Sequence, residues 1–244
     1  MSLVFEPVAL TSHAPALPPG EAHVWLLPLA DTRPDELRAM LDADELARAD
    51  RLRLPAERDL FIAAHGLMRR VLGHYTKAEP ASLRFDVEQH GKPLLRGPGM
   101  PQFNLSHSGD WGLLAVAQET PVGVDLEQIR DIPDWEAVAK ANFASGEIAA
   151  LARIDPAAQL KAFYACWTRK EAVVKALGLG VTAGLQTFEV SLDPETVPQV
   201  LSIAGSAQHW TLHAFAPLAG TCGALAARAA KVTLRAFSLT ESIA

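Results

Sequence analysis

The spacing of apolar and polar positions changes several times along this chain, and each change marks an element. His23-Val-Trp-Leu-Leu-Pro-Leu29 is a short apolar run bounded by turn formers, which reads as a strand. Pro34 to Ala49 is helical in pattern. Glu57 to Leu72 is a stronger helix, carrying Leu60, Phe61, Ala64, Leu67, Met68 and Leu72 at helical spacing. Leu83-Arg-Phe-Asp-Val-Glu88 alternates as a strand and runs into a turn at Gln89-His-Gly-Lys-Pro93. Phe103 to His107 and Trp111 to Ala117 read as two strands joined by Ser108-Gly-Asp110, a hairpin signal. A further strand, Val122 to Glu127, follows. Helices are predicted over Asp134–Asn142, Ser145–Ala152 with Ser145 as cap, and Pro156–Leu177, the last stopped by Gly178. Thr187–Leu192 and the stretches from Val200 to Leu239 read as strands and turns, and residues 11–22 as an irregular lead-in.

Two of these segments carry chemistry. On the strand Val122-Gly-Val-Asp-Leu-Glu127, alternate side chains take opposite faces, so Val124 and Leu126 face a core while Asp125 and Glu127 project together. On the helix, Glu171 and Lys175 stand one turn apart. If helix and strand pack together, three carboxylates and an ammonium share one site. Oxygen ligands suit Mg2+, which takes one or two carboxylates plus substrate phosphates, and a lysine supplies a point charge for phosphate. At ~100° per residue, Phe163, Cys166, Trp167, Val174 and Leu177 fall on one apolar stripe with Lys170 in its middle. That lysine must either snorkel or find a partner. An Asp-x-Glu strand end or a Glu-Lys helical pair taken alone is ordinary surface decoration.

Composition narrows the class. With 244 residues and 49% hydrophobic positions, the chain can build one large domain or two of half that size. A net charge of −6 argues against a general nucleic-acid binder. Arg48, Arg51, Arg53, Arg58, Arg69 and Arg70 nonetheless cluster. They form either a local anion-binding face or a helix whose arginines pair with Asp50, Glu57 and Asp59. The two cysteines, Cys166 and Cys222, exclude a disulfide scaffold. The opening residues lack the charge and apolar pattern of a secretory signal, and no run approaches a membrane span, so a cytoplasmic protein is expected. Gly178-Leu-Gly-Val-Thr-Ala-Gly184 mimics a dinucleotide loop but follows a helix instead of joining strand to helix. Ser106-His107 lacks the Gly-x-Ser-x-Gly elbow of serine hydrolases. Phe103-Asn-Leu-Ser-His and the following Gly112-Leu-Leu-Ala-Val-Ala are echoed at Trp210-Thr-Leu-His-Ala and Gly223-Ala-Leu-Ala-Ala, which points to two similar halves joined near Gln118–Pro121.

Gly91-Lys-Pro93, Phe103-Asn-Leu-Ser-His-Ser108, Gly123-Val-Asp-Leu-Glu127 and Trp167-Thr-Arg-Lys-Glu171 with Lys175 form an ordered set. It resembles the 4′-phosphopantetheinyl transferases, in particular the longer, monomeric type serving nonribosomal peptide, polyketide and fatty-acid synthases. The resemblance runs from about Leu54 to Val190. It implies an α+β fold of two similar halves, 1–119 and 120–244, related by a pseudo-twofold axis, each a small antiparallel sheet packed with helices, with coenzyme A in the cleft between. It implies Mg2+-dependent transfer of the phosphopantetheine arm of coenzyme A to a serine of an apo acyl or peptidyl carrier protein, leaving 3′,5′-ADP. By position, Asp125, Glu127 and Glu171 match the metal ligands, with Mn2+ as an alternative to Mg2+. Lys175 matches a pyrophosphate contact and Glu171 the general base. Ser106, His107, Lys92, Lys170 and Arg69 match coenzyme A contacts. His65 stands where relatives often carry arginine. No nucleic-acid or membrane partner is implied. A Mg2+-dependent nucleotide phosphohydrolase and a non-catalytic coenzyme A or carrier-binding module are the competing readings.

Overall fold

The computed structural model describes residues 3–10, 15–30, 32–180, 184–203 and 209–240. Strands β1 (Glu6–Val8) and β2 (Glu21–Pro28) lead into helices α1 (Pro34–Arg38), α2 (Ala43–Arg51) and α3 (Pro55–Thr76). The single helix expected over 34–49 is therefore two. Asp42 breaks it by accepting from the backbone N–H groups of Asp44 and Glu45, while Glu45 reaches back to the Asp42 N–H, a reciprocal cap that starts a new helix. A short hairpin, β3 (Phe85–Val87) and β4 (Pro93–Leu95), precedes β5 (Gln102–Ser108) and β6 (Trp111–Ala117). Then come β7 (Val122–Gln128), α4 (Trp135–Asn142), α5 (Ser145–Leu151) and α6 (Pro156–Leu177). The expected cap at Ser145 is corrected: Ala144 occupies that position, and the Glu147 side chain takes up its N–H. A second hairpin, β8 (Glu189–Val190) and β9 (Val200–Ser202), is followed by β10 (Thr211–Phe215), β11 (Thr221–Ala227) and β12 (Thr233–Leu239). Part of the glycine-rich stretch after α6, residues 181–183, lies outside the described residues, as do residues 11–14 of the lead-in.

The expected α+β class holds. One sheet has the order β1-β12-β2-β6-β5, the other β10-β11-β7. Element order runs the same way twice: a strand, helices ending in one of 22 residues, a two-stranded hairpin, then two more strands. In both cases the first strand pairs with the last of the set, and the last with the one before it (β2-β6-β5 and β7-β11-β10). The sequence echo falls on β5 with β10 and on β6 with β11. The final strand β12 leaves the second set and inserts into the first sheet, parallel to β1 and β2.

Three apolar clusters organise the layers. Leu67, Leu72, Trp25, Leu114 and Phe103 join α3 to the first sheet. Phe163, Val173, Val174, Ala224 and Ala226 join α6 to the second. Val24, Leu26, Leu113, Val124, Leu126 and Leu225, drawn from both sheets, form a third. His23 is fully buried on β2, between the Tyr75 hydroxyl and Glu21. Burial depresses its pKa below the ordinary value, and Glu21 offsets this only in part. The folded state therefore holds a neutral imidazole that the unfolded chain protonates below pH ~6.5. Its contribution is full above that pH and is lost as pH falls toward the depressed folded value. The urea midpoint of His23→Gln is expected to fall less steeply than that of the wild type between pH 7.5 and 5.5. Parallel midpoint curves would remove His23 from the acid response.

Candidate active site

The two sheets meet edge to edge where β5 runs beside β7, and side chains bridge them instead of a backbone ladder. Residues 104, 106 and 108 are two apart, so their side chains share one face of β5. The Asn104 Oδ1 accepts the Val124 N–H at 2.8 Å, and the Ser108 hydroxyl oxygen accepts the Gln128 N–H at 3.1 Å. Ser106 donates to Asp125 Oδ1 and Ser108 to Glu127 Oε2, each at 2.9 Å. The same three residues thus align β7 and orient both of its carboxylates.

Helix α6 packs on β7 from the other side. Their approach depends on Gly123, where a Cβ would overlap the Ala172 carbonyl oxygen and the Ala176 nitrogen of the helix backbone. Lys92 closes the same corner, its Nζ donating to the main-chain carbonyls of Val122 and Ala176 at 3.1 and 3.4 Å. Lys175 consequently reaches across to Asp125 Oδ1 at 2.6 Å and to the Ser106 hydroxyl at 3.0 Å. Glu171, one turn earlier and half-buried, makes no hydrogen bond among the described residues.

The electrostatics are those of crowded, desolvated acids. Burial pushes the Asp125 carboxyl up, against the pull of Lys175 and Ser106. Glu127 and Glu171 are also raised, first by burial and then by the Asp125 charge. Asp125 Oδ2 is buried with no hydrogen-bond partner. An orphaned buried carboxylate oxygen costs free energy unless something compensates it. Among the described residues no three His, Cys, Asp or Glu side chains form a ready-made metal cage. A Mg2+ ion does not require one, because it takes one or two carboxylates and completes its shell with phosphate oxygens and water. The orphaned Oδ2, with Glu127 and Glu171 close enough to feel Asp125's charge, fits that partial, oxygen-only donor set.

Other residues singled out in the sequence sit elsewhere. Lys170 is fully buried on α6, its Nζ within 2.7 Å of both Glu147 oxygens and the Phe188 carbonyl, and 4.3 Å over the Phe188 ring. It finds a partner instead of snorkelling. Arg69 is equally buried. It donates to Glu45, Asp42 and the carbonyls of Pro80 and Leu83, with its guanidinium 4.9 Å over Phe85. Within the arginine cluster, Asp50 is paired by Arg38, outside the cluster, at 3.0 Å. His107, adjacent to Ser106 on the opposite face of β5, is exposed; burial of its ring and the charges of His65 and Lys175 lower its pKa. Sequence reasoning missed Asn104 and Ser108 as bridging residues. Their signal was the Asn-x-Ser-x-Ser alternation on a strand. No helix among the described residues is long and apolar enough to cross a membrane.

Comparison with known proteins converges on one family. The model of the 4′-phosphopantetheinyl transferase superfamily matches residues 121–239. The chain is similar to the 4′-phosphopantetheinyl transferase HetI of Nostoc sp., with 38% identity covering 81% of this chain and 83% of that one. A Synechocystis sp. protein, provisionally named for the same activity, is 32% identical over 79% of this chain and 78% of its own. A phosphopantetheinyl transferase of Thraustochytrium sp. is 30% identical over 78% and 72% respectively.

Proposed function

The chain belongs to the 4′-phosphopantetheinyl transferase superfamily, and on that footing we propose that it transfers the phosphopantetheine arm of coenzyme A to a serine of an apo acyl or peptidyl carrier protein. The observation that carries the reading is the Asp125–Lys175–Ser106 cluster, with Glu171 beside it and a buried carboxylate oxygen left without a partner. We also propose that the two repeats of element order are halves related by a pseudo-twofold axis, divided near residue 120, and that the enzyme acts as a cytoplasmic monomer.

In this reading Asp125, Glu127 and Glu171 would hold Mg2+ (or Mn2+), which when bound neutralises negative charge on the pyrophosphate. Ser106 keeps Asp125 in one rotamer, so the carboxylate meets its ligand already oriented. Lys175, a quarter exposed, turns from Asp125 toward the pyrophosphate and supplies positive charge there. The carrier serine oxygen attacks the β-phosphorus as the bond to the bridging oxygen breaks, and 3′,5′-ADP departs with that oxygen's electron pair. Glu171 takes the serine proton. Burial and the Asp125 charge raise its pKa, the direction that makes a carboxylate a better base. His107, with His65 behind it, lies at the nucleotide end. Arg69, Lys92 and Lys170 support the walls of the site, since their donors are taken up by the fold.

Intact-protein mass spectrometry of apo carrier proteins incubated with the enzyme, coenzyme A and Mg2+ tests the reading. A gain of one phosphopantetheine is expected, absent with EDTA and with Asp125→Ala. Release of 3′,5′-ADP without a gain of mass on any carrier would favour the hydrolase instead.

A further inference from the structure

One buried carboxylate outside the metal cluster has a geometry that its structural duties do not account for. Glu45 on α2 is 7% exposed. Its Oε2 accepts from Arg69 Nε at 2.7 Å and from the Asp42 N–H at 3.0 Å, so the carboxylate cannot swing. Its Oε1 lies 2.9 Å from His65 Nδ1 on α3. The His65 ring is also stacked on Phe61, with centroids 4.0 Å apart, and Arg48 lies 5.5 Å over the Phe61 ring. One imidazole is therefore fixed both in plane and in rotation. Its Nε2 makes no hydrogen bond among the described residues, and its charge is felt by His107 across on β5.

We propose that Glu45 is a positioning residue: it holds His65 through Nδ1 so that Nε2 presents a donor to a phosphate of coenzyme A at the nucleotide end of the site. The inference rests on coenzyme A being the co-substrate. A neutral imidazole that donates Nδ1–H to Glu45 leaves Nε2 as an acceptor, which repels a phosphate oxygen. Protonation turns Nε2 into a donor. The groups bearing on that proton are Glu45 on α2, which favours it, and His107 on β5, which opposes it. Arg69 on α3 draws on the same carboxylate, and Lys175 on α6 acts from beyond His107. Binding of coenzyme A should then weaken as pH rises through the imidazole range.

The test is the Michaelis constant for coenzyme A and its pH profile from about pH 6 to 8, beside calorimetric titration of coenzyme A. Glu45→Gln should raise KM about tenfold, the loss expected for one charge-assisted hydrogen bond. It should leave kcat within about twofold, because a contact made equally in ground and transition state acts on KM. The rise of KM with pH should move to lower pH. His65→Arg, which fixes the charge, should flatten the profile. Asp42→Asn is the structural control, since it breaks the Arg69 ion pair at 2.6 Å and the helix cap but leaves Glu45 against His65. An equal rise of KM in Asp42→Asn, or an unmoved pH profile in Glu45→Gln, would overturn the proposal. Failure of the wild-type protein to bind coenzyme A at all would instead overturn the functional reading beneath it.

Discussion

Glu171→Gln is expected to lower carrier modification at least about a thousandfold, the range seen when one preorganised charge is removed from a transition state, while its thermal midpoint equals or exceeds that of the wild type. The two halves of this expectation have the same cause. Glu171 has no hydrogen-bond partner among the described residues, so the fold loses no contact with its charge. Its pKa is raised by burial and then by Asp125, so the ionised form destabilises the folded chain near neutral pH. The sign is that of a folded state binding its proton more tightly than the unfolded one: stability falls as pH climbs from the ordinary carboxylate range through the raised folded value. Glutamine removes that penalty at nearly constant volume. The initial rate of carrier mass gain at saturating Mg2+, beside differential scanning calorimetry, reads both quantities. Activity within tenfold of wild type would remove Glu171 from the roles of base and metal ligand alike. A large fall in midpoint would show that the residue holds the fold.

This combination also explains which parts of the site were legible in the sequence. Period alone delimited α6 at Pro156 and Leu177 and set Lys170 in the middle of its apolar stripe. It could not name Glu147, 23 residues earlier, because an ion pair across helices has no sequence period. The alternation of β7 correctly sent Val124 and Leu126 into the core. The helix predicted over 34–49 failed for a local reason: Asp42 and Glu45 form a cap inside a stretch of continuous helical spacing, and side-chain hydrogen bonds to the backbone outweigh periodicity there. The bridging role of Asn104 and Ser108 went unread for a different reason. It depends on two sheet edges approaching without a backbone ladder, a relation visible only once both sheets are folded.

Gly123→Ala is the complementary experiment, because it should damage the site through packing without touching any of its charges. Gly123 precedes Asp125 by two positions and shares its face of β7. An added Cβ would overlap the backbone of α6 at Ala172 and Ala176 and stand 2.9 Å from the Lys175 carbonyl carbon. Backbone atoms of a helix cannot rotate out of the way as a side chain tip can, so the strand must move as a body. Overpacking of this kind costs about 3 kcal/mol, which in a chain of this length corresponds to roughly 6–12 °C of melting temperature. The displacement falls where Lys92 ties Val122 to Ala176 and where Lys175 meets Asp125 at 2.6 Å. Activity measured well below the new midpoint should therefore fall far more than the folded fraction does, by about a hundredfold for a misplacement near 1 Å. Gly99→Ala, at a glycine with nothing within 4 Å of the added carbon, is the control for lost glycine freedom at an exposed turn. If Gly123→Ala melts and turns over like wild type, the close approach of β7 and α6 does not set the spacing between Asp125, Glu171 and Lys175. If it melts early but keeps its activity per folded molecule, the spacing serves stability alone.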